Sequence, residues 1–119
     1  MFKTKMLKKN YEFRKVLSKG KHYSGKYIES VILKNNKKNT CLGIAISTKI
    51  GKAVVRNHIK RLIREVYKIT ENKIIDGYSI VFLWKKSVAI ENATFNNIKS
   101  DVEMIFDKAN IINYEKNID

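Results

Sequence analysis

The chain has no proline, five glycines, one cysteine, one tryptophan and two histidines among its 119 residues. Without proline, its helices and strands must be broken by Gly, Asn, Asp and Ser. With Cys41 as the sole thiol, an internal disulfide and a cysteine-based zinc site are both excluded, and a reducing cytoplasmic setting fits. Long apolar runs are missing too. The longest strongly apolar stretch, Ile80 to Trp84, falls far short of the ~20 residues a membrane helix needs. The opening MFKTKMLKKN carries charge with no apolar run behind it, so it does not read as a secretory signal. Acids are scarce and scattered, with no DxD or ExxH arrangement. A protein nuclease needs a carboxylate cluster for two metals or a histidine pair for acid–base work. His22 and His58 are the only histidines and read as surface or interface residues. No catalytic residue and no metal site is expected in the chain itself.

What the chain has instead is positive charge. Lys and Arg number 25 against 11 Asp and Glu, a formal net charge of +14. Such an excess destabilises a compact state by self-repulsion, and a polyanionic partner relieves it. Nucleic acid is the commonest partner of that kind, ahead of an anionic membrane surface. The charge is uneven. Residues 1–26 hold Lys3, Lys5, Lys8, Lys9, Arg14, Lys15, Lys19, Lys21 and Lys26 against Glu12 alone, whereas acids dominate beyond Ser100. The binding surface should be built from the N-terminal half. With 44% hydrophobic residues the chain can bury a core. No repeat or linker divides it, so residues 1–119 read as one nucleic-acid-binding domain whose tail frays from about Ile112.

Asn10 is an expected N-cap for a short first helix with an apolar stripe of Phe13, Val16 and Leu17, and Gly20 an expected left-handed terminator. A strand is expected over Lys26 to Lys34, and another over Leu42 to Thr48. In the latter, Leu42, Ile44 and Ile46 face one way and Gly43, Ala45 and Ser47 the other. Such a small second face is either closely covered or left open. One or two short strands near Lys21 to Tyr23 are compatible with the pattern. Tyr78 to Lys85 is apolar at nearly every position, as suits a central strand covered on both faces. Thr94 is an expected N-cap for a last helix with Phe95, Ile98, Val102, Ile105 and Ala109 at helical spacing. The order α-β-β-(β)-α-β-α describes an α+β (α/β) sandwich, a small mixed sheet of about four strands with helices packed on it. Strands joined by a helical crossover should run parallel.

The most informative segment is the helix predicted over Ala53 to Thr70. Arg56, Lys60, Arg61 and Arg64 fall on one side and Val55, Ile59, Leu62 and Val66 on the other. From Lys49 to Arg64 there is no acid. Arg56, Lys60, Arg64 and Lys68 recur every fourth residue and form a ridge able to follow a phosphate backbone. Arg offers paired donors to phosphate or a plane for stacking, and Asn57 can read a base edge or ribose hydroxyl. A merely solvated face would normally carry Glu partners at i+4; the row Arg56, Lys60, Arg64, Lys68 has none, and Lys49 and Lys52 extend the face into the preceding loop. Trp84 and Phe82 read as core rather than as a base platform. Tyr11, Tyr23 and Tyr27, set among lysines, are either base-stacking or half-buried residues.

Lys49–Ile50–Gly51–Lys52–Ala53–Val54, followed by Arg56–Asn57, Lys60–Arg61 and Arg64–Glu65, resembles the signature of the bacterial ribonuclease P protein component. The likeness extends over about residues 5 to 110. It takes in Lys8–Lys9–Asn10 with Phe13, the strand before the motif, the apolar strand after it and the Thr-capped last helix. Where the family usually reads Arg-Asn-Arg, this chain has Arg56–Asn57–His58; Leu17 and Val31 stand at positions often aromatic in the family.

The resemblance implies a small basic subunit of a ribonucleoprotein that removes the 5′ leader from precursor tRNA. Catalysis and Mg²⁺ would belong to the catalytic RNA subunit. Lys49, Lys52, Arg56, Asn57, His58, Lys60, Arg61, Arg64 and Lys68 would meet that RNA. Phe13, Leu17 and Val31 would line a cleft for the leader, and the crossover around the motif helix would be left-handed against the usual rule. The expected assembly is one protein to one RNA, cytoplasmic, with no membrane and no obligate protein partner. The residues themselves leave two other readings open: a ribosomal-type or general RNA chaperone, and a stand-alone endonuclease.

Overall fold

A computed structural model describes residues 4–114. Its centre is a five-stranded sheet. The strands are β1 (Thr4–Met6), β2 (Lys21–Ser24), β3 (Ile28–Lys34), β4 (Thr40–Ala45) and β5 (Tyr78–Trp84), in the order β1-β4-β5-β3-β2. The helices are α1 (Asn10–Lys19), α2 (Ala53–Thr70) and α3 (Phe95–Lys108). β4 and β5, joined through α2, are parallel, with Leu42 opposite Ile80; β1 is parallel to β4, and β3 is antiparallel to both β5 and β2.

β3, β4 and β5 divide their side chains between two apolar layers. Ile28, Ile32, Leu42, Ile80 and Phe82 point into the larger one, with Ile59, Ile63, Val66 and Tyr67 of α2 and Ile98, Val102, Ile105 and Phe106 of α3. Val31, Cys41 and Val81 point the other way, where Leu7 and Val16 of α1 cover them. The central position of β5 explains its uninterrupted apolar reading. Ile80, Val81 and Phe82 have no exposed surface, and Trp84 is buried with its indole N–H donated to the Val88 carbonyl.

The small face of β4 is closely covered at Gly43, whereas Ala45 stays half-buried. A Cβ on Gly43 would lie 2.5 Å from Cε1 of Phe13, so the ring of α1 rests directly on the backbone of β4. This contact fixes how near the first helix comes to the sheet.

Several boundaries differ from expectation. The sheet has five strands rather than about four, because β1 is a three-residue edge strand hidden in a basic run, with no periodicity long enough to register. β2 occupies the segment suspected near Lys21. β3 starts at Ile28 rather than Lys26, since the buried Asp101 carboxylate of α3 accepts the N–H groups of Lys26, Tyr27 and Ile28 at 3.0, 2.7 and 2.9 Å and diverts them from the ladder. β4 ends at Ala45; Thr48–Ile50 instead forms a single 3₁₀ turn, with the Ser47 hydroxyl accepting from the Lys49 N–H. α1 is capped at Lys9, not Asn10, and the Glu12 carboxylate accepts from the Lys8 and Lys9 amides. Those bonds hold the carboxyl below its usual range. Gly20 is extended, not left-handed. It is glycine for space, as a Cβ there would sit 2.6 Å from both the Val16 carbonyl oxygen and Cγ1 of Val31. Thr94 caps α3 as expected, its hydroxyl accepting from the Asn97 N–H. The tail does not come loose at Ile112. Ile111 is buried, Ile112 bridges to Ile74, the Asn113 N–H reaches the Lys73 carbonyl and the Tyr114 hydroxyl bonds Asp107. The remainder of that tail, from residue 115, lies outside the described residues.

Candidate nucleic-acid interface

α2 runs from Ala53 to Thr70, the span its periodicity predicts. Its buried side is not quite the expected one. Ile59, Ile63, Val66, Tyr67 and Thr70 face the core, whereas Val55 and Leu62 are only half-buried. The buried stripe is rotated from the expected azimuth to take in Tyr67, whose hydroxyl is hydrogen-bonded to the Thr4 hydroxyl of β1 at 2.7 Å.

That rotation sorts the cations. Residues four apart drift by about 40° around a helix of 3.6 residues per turn. The ridge Arg56, Lys60, Arg64, Lys68 therefore climbs from the flank of the helix to its crest. Arg56 and Lys60 are half-buried, and Arg64 and Lys68 are exposed. The Nε of Arg56 is buried with no hydrogen-bond partner. Its guanidinium is thus held partly against the protein while the rest of the row stands free. Asn57 and Arg61 are exposed beside Arg64, and Lys49 and Lys52 are exposed before the helix. Among the described residues no salt bridge engages any of these cations. The C-terminal acids among the described residues, Asp101, Glu103 and Asp107, form no salt bridge to it.

His58 is exposed but lies off this crest. It borders an open apolar depression of about 370 Å³ with Val54, Val55, Ile59, Ile90 and Ala93. His22 projects from β2 on the α1 side of the sheet, opposite Val31, with Nε2 3.2 Å from the Leu17 carbonyl oxygen. The sheet stands between the two histidines, so they cannot act as an acid–base pair. Among the described residues no group of three or more His, Cys, Asp or Glu is placed to hold a metal ion.

Phe13, Leu17 and Val31 come together in the layer beneath α1. Val31 has no exposed surface and forms the floor, while Phe13 and Leu17 are half-buried. Leu83 belongs to the same layer and leads into a groove of about 470 Å³ at the carboxyl ends of the parallel strands β4 and β5. Glu29, Ala45, Ser47, Lys85 and Lys86 also border it. Sequence reasoning missed Ser47, Lys85 and Lys86. The signal for them is positional, since ligands of open sheets containing parallel strands gather at the strands' carboxyl ends, and a basic pair there is informative. Lys86 also shares a shallow depression of about 420 Å³ with Lys49 and Ile50. The cationic surface is thereby continuous from the start of α2 to the groove.

Comparison with known proteins gives the family and the fold. The family model described as Ribonuclease P matches residues 1–110. The ribonuclease P protein component of Clostridioides difficile (strain 630) is 40% identical over 110 residues, covering 92% of this chain and 95% of that protein. The component from Clostridium botulinum (strain 657 / Type Ba4) is 38% identical over 112 residues, 93% and 99% of the two chains. Among solved structures, the Staphylococcus aureus RNase P protein superposes with a TM-score of 0.78 at 28% identity, covering 91% of this chain and 97% of that one. The RNase P protein from Thermotoga maritima gives 0.75 at 26% identity, covering 85% and 94%. A family model matching nearly the whole chain, relatives at about 40% identity and superposable folds place it plainly: the chain belongs to the ribonuclease P protein family.

Proposed function

We propose that this chain is the protein subunit of a ribonuclease P ribonucleoprotein that removes the 5′ leader from precursor tRNA. It holds the catalytic RNA with the crest of α2 and the leader in the groove beside α1. The observation that carries the reading is the unneutralised cationic surface running from Arg61, Arg64 and Lys68 through Lys52 and Lys49 to Lys86. Each of these groups that meets a phosphate releases condensed counterions, so the binding free energy is gained largely from salt displacement and falls as salt rises. Arg61 and Arg64 can grip phosphate oxygens through paired donors. Asn57, exposed one turn before Arg61, has an amide suited to a base edge or ribose hydroxyl.

The groove has the composition for a single strand. Phe13, Leu17 and Leu83 offer half-buried apolar surface for base faces, and Lys85 and Lys86 stand where a backbone would pass. The protein supplies positioning, and Mg²⁺ supplies charge neutralisation at the scissile phosphate when bound by the RNA. Lowering the local negative potential with cations of α2 reduces how much free Mg²⁺ the RNA and substrate need. Location in the cytoplasm and a one-to-one assembly with the RNA follow from the same reading.

Reconstitution tests it. Purified protein alone should cleave no precursor tRNA, yet should let the ribonuclease P RNA process it at Mg²⁺ concentrations too low for the RNA by itself. Failure to rescue would overturn the reading. Equal affinity for unrelated RNAs with no preference for a 5′ leader would instead favour a general RNA chaperone.

A further inference from the structure

A second cationic site lies on the opposite flank of α1 from the groove. Tyr11, Lys15 and Lys19 recur every fourth residue along one side of this helix, while Phe13 and Leu17 lie on the other. Facing the first set are Lys34 at the end of β3 and Lys37 in the β3–β4 turn. Together they enclose a hollow of about 370 Å³. Its floor is apolar, formed by the buried Val16 and the half-buried Leu33.

The turn that carries Lys37 is built rather than loose. The Asn35 side-chain carbonyl accepts the Lys37 N–H at 2.9 Å, and its amide donates to the Asn39 carbonyl and the Ser79 hydroxyl. Asn36 takes the left-handed conformation at φ 58°. Glu12 is the one carboxylate at the rim; its oxygens accept the amides of Lys8 and Lys9, and it feels the charges of Lys37 and Lys9 without forming a salt bridge to either. Tyr11 is 61% exposed, with Lys9 Nζ 5.8 Å from its ring centre. An exposed ring beside four ammonium groups matches the two requirements of single-stranded nucleic acid, a stacking platform and a charged track. The site is distinct from the groove: Ser79 and Leu83 mark the two ends of β5, about 13 Å apart at the usual rise per strand residue, with α1 between.

We propose that this hollow is a second RNA contact, taking a single-stranded segment whose phosphates meet Lys15, Lys19, Lys34 and Lys37 and one of whose bases stacks on Tyr11. It extends the reading of the chain as an RNA-binding subunit. The segment has two possible sources, an unpaired stretch of the catalytic RNA or the part of a leader beyond the groove.

The direct test titrates a short fluorescein-labelled single-stranded RNA into the free protein. Tyr11→Ala should weaken binding roughly tenfold and Tyr11→Phe should restore it. The triple change of Lys15, Lys19 and Lys37 to Ala should lower the salt slope by about two to three. Unchanged melting temperatures show that these exposed positions leave the fold intact. A photo-crosslinking residue at position 11 then identifies the source, reacting with the catalytic RNA or with a long-leader precursor. Wild-type affinity and slope in every variant would overturn the proposal. That outcome is separable from failure of the subunit reading, because the free-protein titration does not depend on rescue of the RNA.

Discussion

At the residue scale the most constrained side chain is Asp101. Its carboxylate, 4% exposed, accepts three consecutive amides from the turn that leads into β3. It ties α3 to the far edge of the sheet across a wide sequence separation. Asp101→Ala leaves those amides without acceptors in a closed space and should cost about 3 kcal/mol, read as a lower urea midpoint with an unchanged slope. Tyr67 makes a different prediction. Burial pushes its phenol well above the usual value of 10.0. In the unfolded chain that phenol ionises near pH 10, whereas in the folded protein it keeps its proton. The unfolded state therefore sheds a proton that the folded state retains, and this group's contribution to stability is lost as pH rises from about 10. Tyr67→Phe should cost about 1 kcal/mol at neutral pH through the lost bond to Thr4. Its stability deficit relative to wild type should narrow above pH 10, and a constant gap between the two proteins would contradict the argument.

At the element scale α2 does two jobs on two faces. Ile63 has no exposed surface, so Ile63→Ala should destabilise the fold by about 2–5 kcal/mol. Arg64→Ala should leave the melting temperature in place and reduce the salt slope of RNA binding by about one. Equal thermal losses in both variants would mean that the faces are misassigned. Much of this was legible in the residues. The bounds of α2 and the Thr94 cap follow from local patterns, periodicity and side-chain to backbone bonding, that act within a few residues. What could not be read depends on contacts made across the chain. β1 exists because β4 offers it an edge, Gly20 because Val31 comes close, and Arg56 is half-buried because the stripe of α2 that meets the core includes Tyr67. Ser47, Lys85 and Lys86 form a candidate site only once β4 and β5 are known to be neighbours running in parallel.

At the scale of the whole molecule the governing quantity is a net charge of +14 on a body whose radius of gyration is 13.6 Å. Among the described residues most of the cations are exposed and none forms a salt bridge, so their mutual repulsion is relieved mainly by ions from outside. Anything that binds the folded surface better than the open chain raises stability by mass action, about 2.7 kcal/mol at a hundredfold excess over its dissociation constant. Sulfate should therefore raise the melting temperature by several degrees more than chloride at equal ionic strength, since it can sit between neighbouring ammonium and guanidinium groups. Sulfate also strengthens apolar burial in any protein, so the comparison needs a control. The triple variant of Arg61, Arg64 and Lys68 to Ala keeps the core and removes the crest of α2. It should show a smaller difference between the two salts than the wild type, with a higher melting temperature in dilute buffer as the repulsion falls. If the variant responds to sulfate as strongly as the parent, the stabilisation comes from the core. The crest of α2 would then not be the place where anions gather.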